Sequence, residues 1–332
     1  MTLRRTESRR VVVLGAGASR GVSYALESDS PSPLDSDFFD LLQREYAKPH
    51  TSSNKKHINS LLERLKLLPY EYWRSMERSF YTLHLQAYLS KKLSGNELKR
   101  EDASVVLDFA VCIQTLLRSA HGKKTCAHHR EILKRLGDKD ALITFNYDLV
   151  VERAIRDKFE SQHRQFGPWI YALDANQNDV QGPIILKLHG SSNWRWNRND
   201  ESLNVQTVAW EDFDDAPGYR GHSGNGTKFP IFLPFWDKRI EHEPWLRLWK
   251  KAYNRLSATA ELVIWGYSLP TTDIKAQQLF HLSLKGKKRL KLCVIDPSSE
   301  TRARWRTLLP DALYWEYQDI GTFIKHPPKW WR

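Results

Sequence analysis

The first hydrophobic feature of the chain is a short apolar run without polar alternation. Residues 11–14 read Val-Val-Val-Leu and lead directly into Gly15-Ala16-Gly17-Ala18-Ser19. A β-branched run of this kind is typical of a strand covered on both faces, as in a parallel sheet. Glycines after such a strand allow a sharp turn and a close approach to a phosphate group at the start of the next helix. The pattern predicts a buried strand followed by a phosphate-binding turn, with an ordinary turn as the alternative because Gly15-x-Gly17-x-x-x-Gly21 exceeds the usual dinucleotide spacing by one residue.

Four later segments repeat the pattern of a buried apolar run followed by a polar or glycine-bearing turn. They are residues 141–145, 184–188, 262–265 and 290–295. Segments with helical periodicity alternate with them at residues 149–159, 272–284 and 299–308. This alternation predicts a doubly wound parallel α/β sheet of the Rossmann type, in which ligands bind at the carboxyl ends of the strands.

A different pattern separates the first predicted strand from the second. A polar, proline-bearing loop at residues 28–39 leads into a helix near Asp37, and helical periodicity then runs from about residue 57 to 136. We therefore expect residues 9–36 and 137–332 to form the α/β domain, with residues 37–136 as an inserted helical subdomain. Residues 197–244 are rich in Gly, Asp, Asn and Pro, and we expect this excursion to pack over the site.

Composition narrows the class of protein. The 332 residues are 41% hydrophobic and 27% charged, and no apolar run approaches the ~20 residues that a membrane span needs. The basic start precedes an apolar run too short for a signal peptide, so we expect a cytoplasmic protein without membrane association. The three cysteines lie far apart without a Cys-x-x-Cys motif, which argues against a disulfide scaffold and a thiolate zinc site. No metal is expected.

The charge is strongly basic, at +12, and the chain holds 13 tryptophans. This charge fits a phosphate-rich ligand, nucleic acid or an acidic protein, and equally a solubilising surface. Several tryptophans stand beside arginine, a pairing that can stack on single-stranded nucleic acid. Because they are scattered along the chain, we favour core and oligomer contacts for them.

Polar residues follow the predicted strands where the strands end. Asn146 and Asp148 follow the second strand, His189 the third, Ser268 the fourth and Asp296 the fifth. An asparagine in this position can orient a water or a ribose hydroxyl, and a histidine can act as a general base near neutral pH. The alternatives are that Asn146 and Asp148 only cap a helix and that the histidine only stabilises a turn.

In this order the strand-end motifs resemble those of the sirtuin-like family of NAD-consuming proteins, over residues 11 to about 300. The run at residues 15–19 is similar to that family's opening NAD loop, and Asn146-Tyr147-Asp148 to its asparagine and aspartate motif. Leu188-His189-Gly190 resembles the active-site histidine motif, and Gly266-Tyr267-Ser268-Leu269 the glycine-serine turn. Asp296 resembles the strand-end residue that faces the adenosine ribose.

The chain departs from the protein-deacylating sirtuins at two places. Only Asp37-Phe38 resembles their Gly-Ile-Pro-Asp-Phe-Arg run, and their paired Cys-x-x-Cys zinc motifs are missing. The forms Asn-Tyr-Asp, Lys-Leu-His-Gly-Ser-x-Asn-Trp and Gly-Tyr-Ser-Leu-Pro are instead similar to those of a bacterial sirtuin-like branch found in antiphage defence. That resemblance implies an NAD+ hydrolase that forms nicotinamide and ADP-ribose and depletes cellular NAD during abortive infection.

The resemblance also assigns roles to individual residues. Asn146, His189 and Asp148 are expected to be catalytic. The residues expected to bind NAD+, which is the substrate, are Gly15, Ala16, Gly17, Ser19, Asp37, Gly266, Ser268 and Asp296.

The resemblance further implies that the activity is controlled by assembly. We expect a homo-oligomer, and the resemblance suggests a complex with a separate DNA-translocase-type ATPase or an Argonaute-type protein. This chain has no Gly-x-x-x-x-Gly-Lys-[Ser/Thr] motif, so any motor would be another chain. Two alternatives stay open. One is an NAD-dependent deacylase or ADP-ribosyltransferase, and the other is a non-catalytic module that senses NAD or ADP-ribose or binds nucleic acid.

Overall fold

The computed structural model of the chain describes residues 10–49, 54–94, 101–160, 163–171, 173, 182–197, 202–205, 207–210, 227–228 and 243–332. The helices are α1 Ala16–Arg20, α2 Phe38–Ala47, α3 Lys55–Leu65, α4 Met76–Ser94, α5 Glu101–His121, α6 Ala127–Lys134, α7 Val150–Phe159, α8 Trp245–Ala258, α9 Ile274–Leu284, α10 Ser299–Leu308 and α11 Ile320–Lys325. The strands are β1 Arg10–Leu14, β2 Ala141–Thr144, β3 Gln165–Phe166, β4 Ile184–Lys187, β5 Trp194–Asn197, β6 Ser202–Val205, β7 Val208–Ala209, β8 Thr227–Lys228, β9 Glu261–Trp265, β10 Lys291–Ile295 and β11 Leu313–Tyr317.

A six-stranded parallel sheet forms the centre of the structure, in the order β11-β10-β9-β1-β2-β4. From β1 the chain adds β2 and β4 on one side, and then returns to add β9, β10 and β11 on the other side. The strand order therefore reverses between β1 and β9, which is the point where ligands bind in doubly wound sheets. The predicted doubly wound parallel α/β fold is confirmed.

The central strands form because their side chains are buried on both faces. Residues 11–14 of β1 and all of β9 are buried. Sequence analysis missed the edge strand β11, whose residues are exposed or half-buried and include Glu316, so it lacks a continuous apolar run. It also missed α8, although Trp245, Leu248 and Ala252 recur at helical spacing and are buried.

The helices between β1 and β2 divide between two hydrophobic cores. Helices α2 to α5 enclose a core of their own that includes Phe39, Leu61 and Phe109. Helix α6 instead contributes Ile132 and Leu133 to the core around the sheet. The subdomain boundaries at residues 37 and 136 stay a prediction.

The described residues of the predicted 197–244 excursion include short strands. Strand β5 pairs with β6 and β8 in one antiparallel sheet, and β7 pairs with β3 in another. Trp210 is buried beside β3, and its indole N–H donates to the backbone oxygen of His163 at 2.9 Å. Most of the excursion lies outside the described residues. Its position over the site therefore stays a prediction.

Two features are absent from the residues that the structure describes. No helix within them is long and apolar enough to cross a membrane. The same part of the chain holds no group of three or more His, Cys, Asp or Glu side chains placed to hold a metal ion. Cys112, Cys126 and Cys293 are buried free thiols.

His129 of α6 is a buried histidine whose ring lies 4.4 Å from the Trp265 ring, centroid to centroid. Neither of its ring nitrogens has a hydrogen-bond partner among the described residues. Burial lowers its pKa from 6.5 to about 3, although the charge of Asp148 opposes the shift. The folded protein therefore holds this imidazole neutral where the unfolded chain would protonate it.

We expect this histidine to destabilise the fold in mild acid. Below pH 6.5 the unfolded chain gains a proton that the folded chain excludes, so the free energy of unfolding falls by about 1.4 kcal/mol per pH unit toward pH 3, and His129 contributes no pH dependence above pH 6.5. His129 alone should make the free energy of unfolding, measured with urea, about 2 kcal/mol lower at pH 5 than at pH 7, and His129→Leu should remove this contribution. Burial also lowers the pKa of His121, so a further loss remains in the variant. His326→Leu, at an exposed site, is the control, and an unchanged pH dependence in His129→Leu would contradict the prediction.

Candidate functional site

Two glycine-bearing turns meet at the point where the strand order reverses. The N–H of Gly15 donates to the Trp265 oxygen at 3.1 Å, and the N–H of Gly17 donates to the Gly266 oxygen at 2.9 Å. A Cβ atom on Gly15 would lie 2.5 Å from the Gly266 oxygen, and one on Gly17 would lie 2.7 Å from the Gly266 Cα. The turns after β1 and β9 therefore pack backbone against backbone.

This packing gives the glycines a function that does not depend on any ligand. The N–H of Gly17 already has a backbone acceptor in the other turn. The predicted phosphate-binding role of Gly15, Ala16, Gly17 and Gly266 stays a prediction. A bulky substitution at residue 17 would disturb the turns themselves, so a loss of ligand binding in such a variant would not identify a phosphate contact.

Four of the predicted site residues form one buried hydrogen-bonded network. The Nδ2 of Asn146 donates to the Gly15 oxygen and to the Ser19 Oγ, both at 2.8 Å. The Ser19 hydroxyl donates in turn to the Asp148 Oδ2 at 2.5 Å. Because Nδ2 holds both N–H groups of the Asn146 amide, its Oδ1 is the atom that remains to accept a hydrogen bond from a water or a hydroxyl group.

Asp148 is a buried carboxylate whose charge is stabilised from several sides. Burial alone would raise its pKa, but the charges of His121 and Lys187 and the hydrogen bonds from Ser19 and the Val150 N–H lower it below the ordinary value. The Asp148 Oδ1 accepts the N–H of Val150, two residues further along the chain, which is a local side-chain-to-backbone bond at the first residue of α7. Asp148 thus holds a negative charge close to the Asn146 amide and also accepts the first N–H of α7.

A buried ion pair contacts the turn after β2 that contains Asp148. Lys187 and Glu152 are buried, and the Lys187 Nζ lies 3.0 Å from the Glu152 Oε1. The same ammonium donates to the backbone oxygen of Asp148. The Tyr171 hydroxyl donates to the Glu152 Oε1 at 2.8 Å. This lysine therefore links the end of β4 to the turn after β2.

His189 lies outside this network and faces a carboxylate that sequence analysis missed. Its Nε2 is 2.8 Å from the Oδ2 of Asp273, and both side chains are buried. Phe145 lies edge-on to the imidazole with the ring centroids 4.9 Å apart, and it stacks on the Tyr267 ring at 4.2 Å. Asp273 immediately precedes α9, a position typical of a capping aspartate, so the sequence marked the helix start but not the contact across the chain.

Three other predicted site residues, Asp37, Ser268 and Asp296, lie outside the Asn146–Ser19–Asp148 network. The Oδ2 of Asp37 pairs with the Arg20 guanidinium of α1 at 2.7 Å. Ser268 is exposed just after Gly266. Asp296 follows β10, and burial raises its pKa even though the charges of Arg302 and Arg304 oppose the shift. The structure therefore joins Asn146, Ser19, Asp148 and Gly15 directly. It places Ser268 and Asp296 after neighbouring strands and Asp37 at the start of α2.

Sequence comparison identifies the family. The SIR2-like domain family matches residues 140–320, which is more than half of the chain. The chain belongs to the SIR2-like family. The matched range contains Asn146, His189 and Asp273 and begins after the Gly15 turn.

Solved structures similar to this SIR2-like chain include a Sir2 homologue in complex with NAD, at 14% sequence identity, with 96% of this chain and 87% of that chain covered and a TM-score of 0.44. A Sir2 protein solved with a p53 peptide and NAD+ is similar at 15% identity, over 96% of this chain and 92% of that chain, with a TM-score of 0.42. A comparison with curated proteins finds no match.

Proposed function

We propose that this SIR2-like protein is an NAD+ hydrolase that releases nicotinamide and ADP-ribose. The observation that supports this most is the buried Asn146–Ser19–Asp148 network, which lies at the carboxyl ends of the strands where the sheet order reverses. His189 follows the adjacent strand β4 with a carboxylate beside it. A polar amide, a buried negative charge and an imidazole are the groups that such a hydrolysis needs.

In this reaction the protein must stabilise the ribose and deliver water to it, whereas the leaving group needs no assistance. The nicotinamide nitrogen is already positively charged in NAD+, so the bond to the ribose C1′ breaks without a general acid and its electron pair leaves with nicotinamide. The water oxygen then bonds to C1′. In this proposal the Asn146 Oδ1 orients the water or a ribose hydroxyl, and His189 accepts the proton that is lost. The Asp148 charge favours the positive charge that develops on the ribose.

The rest of the substrate would follow the strand ends away from this centre. Ser268 and Asp296 lie on the β9 and β10 side of the reversal point, where the adenosine ribose would hydrogen-bond to a carboxylate and a hydroxyl. The pyrophosphate would lie against the turn of Gly15, Ala16 and Gly17, where the absence of side chains permits a close approach. Asp37 would act through Arg20 of the adjoining helix α1.

We further propose a role as an abortive-infection effector whose activity is controlled by assembly with further copies or with a separate ATPase or Argonaute-type partner. An uncontrolled hydrolase would deplete the NAD of its own cell, so activity must depend on a second event. One contact between the helices and the site is consistent with such control. The Thr272 hydroxyl donates to Glu77 of α4, and Thr272 adjoins Asp273, the neighbour of His189. A shift of the α2 to α5 helices would reach the site through this contact.

We expect Asn146→Ala and His189→Ala each to lower NAD+ turnover at least 100-fold, because each removes a group that acts in the reaction. NAD+ consumption and its products are measured by chromatography over a range of protein concentrations, with and without candidate partners. Asn254→Ala and His326→Ala, both at exposed sites, are the matched controls and should keep full turnover. Thermal unfolding of each variant separates lost chemistry from lost folding.

The products separate the proposal from its alternatives. Free ADP-ribose supports hydrolysis, whereas O-acyl-ADP-ribose or a modified acceptor protein would show group transfer. Tight NAD+ binding with no turnover at any concentration or with any partner would indicate a sensing module. Full activity in both Asn146→Ala and His189→Ala would refute the proposed site.

A further inference from the structure

The carboxylate of Asp273 makes two contacts at once, one with each oxygen. Its Oδ2 lies 2.8 Å from the His189 Nε2, and its Oδ1 accepts the N–H of Ala276 at 3.3 Å. The second contact caps α9, so the first turn of a helix holds the carboxylate in place. The side chain is 1% exposed and that of His189 is 5% exposed, so little water competes for the contact.

The surroundings of the pair restrict both partners. The edge-to-face contact with Phe145 limits rotation of the imidazole, and the Tyr147 ring lies 6.2 Å from it on the same turn as Asn146. On the carboxylate side, burial raises the pKa of Tyr267 well above its ordinary value, and the charges of Asp273 and Glu77 add to this shift. Tyr267 therefore keeps its proton at neutral pH.

From this geometry we propose that Asp273 is a positioning residue that holds the proton of neutral His189 on Nε2, which makes Nδ1 the basic nitrogen of the ring. The inference rests on the proposed function for its catalytic consequence. In the hydrolysis, Nδ1 takes the proton released by the attacking water or by a ribose hydroxyl, while Nε2 keeps its own proton. The imidazolium that results is stabilised by the fixed carboxylate, which stays unprotonated throughout.

Asp273→Asn tests the proposal in the full chain. Asparagine is as good a helix cap as aspartate, but its single oxygen cannot serve both the Ala276 N–H and the His189 Nε2–H. When that oxygen caps α9, the amide N–H groups face Nε2 and favour the other tautomer. We expect kcat to fall at least 100-fold, with the dissociation constant for NAD+ within threefold of wild type.

The second readout is the tautomer itself, measured by ¹⁵N NMR of histidine-labelled protein without NAD+. The His189 signal is assigned by its loss in His189→Gln. We expect an Nε2–H imidazole in the wild type and an Nδ1–H imidazole in Asp273→Asn. Asp319→Asn is the matched control, because Asp319 caps α11 through the Thr322 N–H at 2.8 Å at an exposed site. It should change neither turnover nor the His189 signal.

Each outcome decides one of the two proposals. A proton on Nδ1 in the wild type overturns the positioning role, even if Asp273→Asn fails to fold. Turnover that stays within threefold of wild type, or that rises, in a folded Asp273→Asn variant also overturns it. If the wild type does not consume NAD+ under any condition, the proposed function fails, and the NMR comparison still decides whether Asp273 sets the tautomer.

Discussion

Gly266→Ala is expected to lower the free energy of unfolding by about 3 kcal/mol or more, or to prevent folding. Gly266 has φ +63°, where a residue with a Cβ atom is strained by about 1–2 kcal/mol. The added Cβ would lie 2.2 Å from the Ala18 nitrogen and 2.3 Å from the Gly17 carbonyl carbon. Both are backbone atoms and cannot rotate away, so the two turns would have to separate. Urea unfolding of both proteins measures the difference.

Gly286→Ala is the matched control for that experiment. Gly286 also has a positive φ, at +76°, but no atom lies within 4 Å of the position its Cβ would take. Gly286→Ala therefore introduces the backbone strain without the collision, and it should lower the free energy of unfolding by about 1 kcal/mol. Equal losses in the two variants would show that the contact between the β1 and β9 turns contributes nothing.

The second large effect is expected at the buried ion pair. Lys187→Met leaves Glu152 as a buried carboxylate without its cation, which typically costs about 3–5 kcal/mol. The Oε2 of Glu152 has no hydrogen-bond partner within the described ranges, so the carboxylate depends on contacts at Oε1 alone. The variant also loses the bond to the Asp148 backbone, so the site should loosen together with the fold. Thermal and urea unfolding test this directly.

Two further variants separate charge from packing at this position. Lys134→Met breaks an exposed pair with Glu131 and should cost less than about 1 kcal/mol. The double variant Lys187→Met, Glu152→Gln removes the buried charge while the Tyr171 hydroxyl keeps an acceptor. It should recover at least about 1 kcal/mol of the loss. A double variant no more stable than Lys187→Met would mean that the lost lysine packing, rather than the unpaired charge of the buried carboxylate, is responsible.

The hydrophobic pattern predicted the strands and helices whose apolar residues are buried. Five of the six sheet strands appear as apolar runs, and helix α10 has the predicted bounds. Strand β11 was missed because an edge strand is only half covered, so its residues need not be continuously apolar. Helix α8 was missed although its apolar residues recur at helical spacing, because the helix directly follows the polar excursion.

The candidate site shows a different limit. Residue types at strand ends indicated Asn146, Asp148 and His189, since the topology brings such ends to one edge of the sheet. The pairing of His189 with Asp273 joins residues from separate strand and helix ends, and no local spacing encodes it. The same holds for Gly15, Gly17 and Gly266, whose sequence suggested contact with a ligand although each turn packs against the other.

The strand order also determines when the site can form while the polypeptide is being synthesised. Val11 pairs with Ala141 on one side and with Leu262 on the other, so neither neighbour of β1 is close to it in the chain. Such distant pairings form late, and a nascent chain exposes its first apolar strand until they do. The turn after β1 cannot meet its partner turn until the ribosome has added Gly266. A growing polypeptide therefore cannot assemble the complete site before residue 266 has been added.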